Sequence, residues 1–272
     1  MKKLSFFGMA ILLIISACSK KNVNPNNANT AGKIKVGESY ATGTGVKVTL
    51  YQDAAFLTGY NKIYLVITDS ASAAIIKNAT AAISTSMQMG MGMPAMICPV
   101  EQPVYNSTNE LYTGASIFNM ATGGGMGEWD LSVNVTNPAN GKQGIASFMV
   151  NVNNSIYNLI TTATGSDGQT YMITLVQPLK PQVGMNTLEL LVDIQNMDMS
   201  YSPVNNLKIQ FTPEMPAMAN MTSTDNQNPV ISTNGHYMGK VNFTMTGDWK
   251  LDIDLLNGQN AIVQDADIEF TF

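Results

Sequence analysis

The chain carries one pattern twice. Met215-Pro216-Ala217-Met218 is followed by Tyr237, Gly239, Phe243 and Met245, and then by Gly247-Asp248-Trp249 leading into Leu251, Ile253 and Leu255. Earlier, Met93-Pro94-Ala95-Met96 is followed by Tyr112, Gly114, Phe118 and Met120, and then by Gly127-Glu128-Trp129 leading into Leu131, Val133 and Val135. A chance match fades away from its best block, whereas a duplicated unit keeps its turns and strand ends. Here the correspondence persists. Ala41-Thr42-Gly43 answers Ala163-Thr164-Gly165, Leu50 and Gln52 answer Leu175 and Gln177, and Gly59 and Asn61 answer Gly184 and Asn186. Downstream, Asn140-Gly141 answers Asn257-Gly258, and Phe148 answers Phe270. The repeat predicts two copies, residues 35–152 and 155–272, each near the commonest size of a domain.

What precedes the copies reads as an address. Met1-Lys2-Lys3, the apolar residues 4–15 and Ser16-Ala17-Cys18 give a basic start, a short apolar run and small residues at a cleavage point. The run is short for a membrane-spanning helix. Its ending, Ile15-Ser16-Ala17-Cys18, resembles the bacterial lipobox, which implies a signal peptide over residues 1–17 and lipidation of Cys18. Residues 18–34, rich in Asn and lacking apolar periodicity, are expected to form a flexible tether. The expected location is the envelope of a bacterium, with the membrane reached through a lipid anchor. Ser19 carries no acidic retention mark, in keeping with the outer membrane, at its periplasmic or surface face.

Charge and cysteine content narrow the remaining classes. All 14 basic residues are lysine and the formal net charge is −5. Nucleic acid is therefore excluded as an expected partner, since phosphate neutralisation and guanine readout both lean on basic side chains. Beyond Cys18 the only cysteine is Cys98, so the mature chain forms no internal disulfide. Stability must come from burial.

Short alternating or apolar runs between Gly, Asn, Pro and Asp predict strands at 46–51, 62–68, 82–86, 116–120, 129–135 and 145–152. The second copy repeats them at 170–176, 188–194, 207–212, 240–245, 249–255 and 267–272. Six or seven such strands per copy give an all-β chain of two tandem immunoglobulin-like antiparallel β-sandwich domains. Residues 71–82 are the nearest approach to a helix, and their Ser, Ala and Asn suit a strand connection. After Trp249, Leu251, Ile253 and Leu255 share one face while Lys250, Asp252 and Asp254 share the other. Trp129 and Trp249 are expected to fill their cores. Tyr112 and Tyr237 are expected at corners, their hydroxyls tying down a loop.

Met-Pro-x-Met, Gly-x-Tyr and Met-x-Gly-x-Trp with alternating apolar residues resemble the YtkA-like domain, related to the FixH group. Residues 207–255 carry the resemblance best, through Met215, Met218, Gly235, Tyr237, Met245, Gly247 and Trp249. The first copy departs from the pattern: Glu110 replaces the glycine before the tyrosine, and extra residues including Gly123-Gly124-Gly125 separate Met120 from Trp129. The resemblance implies an immunoglobulin-like sandwich outside the cytoplasmic membrane, with copper handling or respiratory-oxidase assembly suspected for relatives.

Methionine is where composition bears on chemistry: the chain has 19, many in the two repeated loops. Soft thioether and thiolate donors select Cu(I). In the first copy the candidate ligands are Met87, Met89, Met91, Met93, Met96, Cys98 and Met120. In the second they are Met215, Met218, Met221, His236, Met238 and Met245. Alternate residues of an extended Met-x-Met run project to one side, and the long side chains could converge on one ion. The competing reading is that these methionines fill irregular gaps between sheets. Enzymatic constellations are thin. The single histidine and the single free thiol fall in different copies, and Asp252 and Asp254 read as the wet side of a strand. Two functions follow as expectations. The first is a non-enzymatic envelope lipoprotein binding Cu(I) through methionine loops. The second is a structural module that holds an envelope protein partner.

Overall fold

Strand alternation, sustained through each copy, leaves one apolar face per strand that must be covered. In the computed structural model, which describes residues 28–90, 93–123 and 127–272, sheets stacked in pairs provide that cover. The expectations at residues 1–27, the signal, Cys18 and most of the tether, and those at Met91, Gly124 and Gly125 lie outside the described residues.

The first half runs β1 (Ile34–Ala41), β2 (Val46–Gln52), β3 (Gly59–Asp69), β4 (Thr80–Met87), β5 (Val100–Asn106), β6 (Leu111–Phe118), β7 (Trp129–Thr136) and β8 (Gln143–Val150). The second runs β9 (Ile160–Thr164), β10 (Thr170–Gln177), β11 (Gly184–Gln195), β12 (Tyr201–Pro203), β13 (Lys208–Met215), β14 (Met221–Thr222), β15 (Gln227–Thr233), β16 (His236–Phe243), β17 (Asp248–Asn257) and β18 (Asn260–Thr271). A 3-10 turn at Pro216–Met218 joins β13 to β14. The all-β expectation holds, with antiparallel pairing between the named strands.

Sheet order is β1-β2-β3-β6-β5 against β4-β7-β8 in the first half. In the second it is β9-β10-β11-β16-β15 against β14-β13-β17-β18, so the main strands map in the same order. The register maps as well. Gly59 pairs with Phe118 as Gly184 pairs with Phe243, and Leu65 pairs with Tyr112 as Leu190 pairs with Tyr237. Asn61 and Asn186 each donate through Nδ2 to two carbonyls, at 2.7 and 2.8 Å in both halves.

Each sandwich closes on its tryptophan. Trp129 and Trp249 are buried, and their indole nitrogens donate to the carbonyls of Met120 and Met245. The tyrosine corners also form. Tyr112 donates to Ile76 O and accepts from Ala79 N, while Tyr237 donates to Val204 O at 2.9 Å and accepts from Leu207 N at 3.1 Å. A Tyr237→Phe change strands both of those backbone groups. It is expected to lower the unfolding free energy by about 1–2 kcal/mol in urea titration.

The glycine missing from the first copy has a structural echo. Gly235 takes φ +82°, and Glu110 at the matching position takes φ 58°, the same left-handed backbone held by a residue with a Cβ. Its carboxylate meets Lys77 Nζ at 2.5 Å on the surface.

Candidate functional site

The alternation that builds the cores also decides what faces outward. On β16, Tyr237, Val241 and Phe243 enter the core, so His236 and Met238 leave on the opposite face. On β11, Leu188, Leu190 and Val192 point inward, leaving Glu189, Leu191 and Asp193 on the other side. The first sandwich covers part of that outer face. Ile117, Met172, Val176 and Leu191 form a separate buried cluster, with Tyr60, Ile160 and Tyr201 packed against it.

A polar node lies beside this seam. His236 Nδ1 bonds Glu189 Oε1 at 2.8 Å, and Nε2 bonds Glu101 Oε1 from the other half. Tyr60 donates to the second oxygen of Glu101 at 2.6 Å and sets its ring edge-on to the imidazole, with centroids 5.9 Å apart. Burial by itself would depress the imidazole. The hydrogen bonds and negative charges of Glu101 and Glu189 outweigh it and lift the pKa to about 9. Burial likewise pushes Glu101 upward, but the bonds from His236 and Tyr60 hold it below the usual carboxylate range. Asp193 is buried on the same face, and one of its oxygens has no partner. Burial, and then the charge of Glu101, raise its pKa to about 7.

Next to the node the two halves leave a groove of about 560 Å³ that reaches Tyr60 and Glu189. Exposed Leu57, Ile156 and Leu179 line it, with Lys62 and Lys180 among its polar groups.

The candidate metal ligands are divided. Met87 is fully buried in the first core, where Met89, Met96, Met120 and Cys98 join the same cluster, while Met93 is exposed. Paired amide–carbonyl bonds between Met87 and Met96, at 2.8 and 2.9 Å, pin the base of that loop. The Cys98 thiol lies near Thr85 and Ser116 hydroxyls at 2.9 and 3.2 Å, and burial pushes its pKa up to about 11. In the second copy Met215 is buried in the core and Met221 packs against it. Met218, Met238 and Met245 are exposed. Alternation on β16 therefore turns His236 away from the core that holds Met215, and both ring nitrogens already face carboxylates.

Asp252 and Asp254 lie on the outer side of β17, as alternation requires. With Asp265 they bring carboxylate oxygens within 4.8 Å of one another, and Lys250 stands 3.6 Å from Asp252.

Sequence reasoning missed Tyr60, Glu101, Glu189 and Asp193. One signal was present: at the 125-residue offset Leu111 stands for His236, Tyr64 for Glu189 and Thr68 for Asp193. The copies diverge at the residues that face one another.

The YtkA-like family model matches residues 166–254. A search of curated proteins gives no match. Among solved structures, the chain is similar to the Escherichia coli adhesin FdeC at 17% identity and a TM-score of 0.25. That match covers 84% of this chain and 65% of the adhesin chain, so the chain spans about two-thirds of that structure's length. Domains 5–6 of the S-layer protein SbsC match at 11% identity and a TM-score of 0.29, over 87% of this chain and 97% of that one. The family match runs from the turn before β10 nearly to the end of β17, so this part of the second sandwich is what is similar to the YtkA-like family.

Proposed function

We propose that the chain is a non-enzymatic interaction module of the bacterial cell envelope, lipid-anchored at Cys18. In this reading its two sandwiches are duplicated units that act as one rigid body holding a protein partner. The observation that carries it is the His236 node, which ties one sandwich to the other through a partly buried charged contact. Such a contact fixes a single relative orientation of the two halves and holds it against thermal motion. The division of Met87 and Met215 between separate cores supports methionine as packing. The signal-like residues 1–18 and the YtkA-like stretch agree with an envelope location.

Copper handling is the second reading, favoured by the gathering of Met87, Met89, Met96, Met120 and Cys98 on one cluster. Titration of Cu(I) against a competing chelator separates the two. The module reading expects the same chelator curve for the unaltered chain and for a Met89→Leu/Met96→Leu/Cys98→Ser variant. Stoichiometric Cu(I) uptake that this variant loses would replace it. The partner is tested by photo-crosslinking in intact cells from Val230 and Met149, both exposed on strands at sheet edges. A discrete protein adduct from one of these edges is expected, and silence from both contradicts the reading.

A further inference from the structure

The groove between the sandwiches has an unequal division of charge. Asp53 is occupied by Lys33 at 3.0 Å and by the Tyr64 hydroxyl at 2.7 Å. Glu189 is occupied by His236. Lys62 and Lys180, by contrast, have neither an ion pair nor a hydrogen bond among the described residues, although the Lys62 ammonium lies near enough to Asp53 and Glu101 to stabilise both carboxylates. The groove therefore offers two ammonium groups with no direct carboxylate contact, while its own carboxylates are each bonded to another partner. Its apolar lining is exposed to an unusual degree: Ile156 is 87% exposed, Leu179 46% and Leu57 39%. Three large aliphatic side chains open to water in one concavity mark a place where apolar surface is to be covered. The volume, about 560 Å³, lies within the roughly 300–1,000 Å³ usual for small-molecule sites.

We infer that this groove binds a free long-chain carboxylate, its alkyl chain covering Leu57, Ile156 and Leu179 and its head group met by Lys62 and Lys180. A polar peptide would leave the aliphatic lining wet. A cationic amphiphile would meet the two unpaired ammonium groups. The inference goes beyond the module reading but rests on the docked arrangement, because residues from both halves line the groove.

The test is calorimetric titration of the full chain with dodecanoate, and with dodecyltrimethylammonium as the same alkyl chain of opposite charge. One dodecanoate per chain is expected, with a dissociation constant on the order of 100 µM. The cation should bind at least tenfold more weakly. A Lys62→Gln/Lys180→Gln variant changes only exposed side chains and should weaken dodecanoate about five- to tenfold. The imidazole resonance of His236, followed in the same samples, reports docking independently. Docked protein that ignores dodecanoate, accepts the cation equally well, or is indifferent to the double substitution overturns the ligand and leaves the module reading standing. An imidazole pH midpoint near the ordinary value of about 6.5 overturns both.

Discussion

Replacing Trp249 with alanine is expected to lower the unfolding free energy of the second sandwich by about 4 kcal/mol. The indole is 1% exposed, stands 5.1 Å from Phe243 between ring centroids, and donates to Met245 O at 3.0 Å. Alanine would leave a cavity between two sheets that strand pairing holds apart, so little collapse can fill it. It would also leave the Met245 carbonyl without its donor. Urea titration followed by far-ultraviolet circular dichroism measures the loss. A change below about 1.5 kcal/mol would mean that the sandwich does not close on this residue. Trp129→Ala should behave alike in the first sandwich, whose indole makes the matching bond to Met120 O at 2.9 Å.

The second large effect concerns the contact between the halves. His236→Gln removes the cation that bonds both Glu101 and Glu189, and Asp193 lies on the same buried face. Leaving two partly buried carboxylates opposed costs about 3 kcal/mol of docking free energy. The pH dependence has a definite sign. With His236 at about 9 when docked and about 6.5 when free, its contribution is complete below the free value and disappears as pH rises through the docked one. Asp193 sits at about 7 when docked, above the roughly 3.9 of a free aspartate, so its ionisation also penalises docking as pH rises. Docking therefore strengthens as pH falls from about 9 toward 5, until protonation of Glu101, whose pKa is held low, begins to reverse the trend. Small-angle scattering from pH 5 to 10 should record expansion on the alkaline side, and the Gln variant should be expanded throughout. Equal dimensions across that range, or an unexpanded variant, would refute the contact.

The sandwiches were largely legible in the sequence because their central strands carry the alternation that burial imposes. Trp129 through Val135 and Trp249 through Leu255 announce β7 and β17. The edge strands were not legible. β5 and β15 have only partial cover, with Gln227, Asn228 and Ile231 on β15 all exposed, so neither face imposes a pattern. On β6 and β16 the expected starts at 116 and 240 fall late, the strands beginning at Leu111 and His236. There the outward residues Ile117 and His236 belong to contacts with the other half. The same cause hid the candidate site. Glu189 and Asp193 alternate with Leu188, Leu190 and Val192 as solvent-facing residues would, and nothing local distinguishes water from a second sandwich as their neighbour. The methionines were conspicuous in the sequence for their soft donors, and Met87 and Met215 each lie in the apolar core of their own half.

His236 is the chain's single histidine, which makes the docking of the two halves readable from one line. The proton resonance of its imidazole Cε1, followed against pH in the full chain, is expected to titrate near pH 9, with a Glu101→Gln variant moving the midpoint downward by at least one unit. A midpoint near the ordinary value of about 6.5, unmoved by that substitution, would show that no carboxylate from the first sandwich reaches the ring and would contradict the docked arrangement.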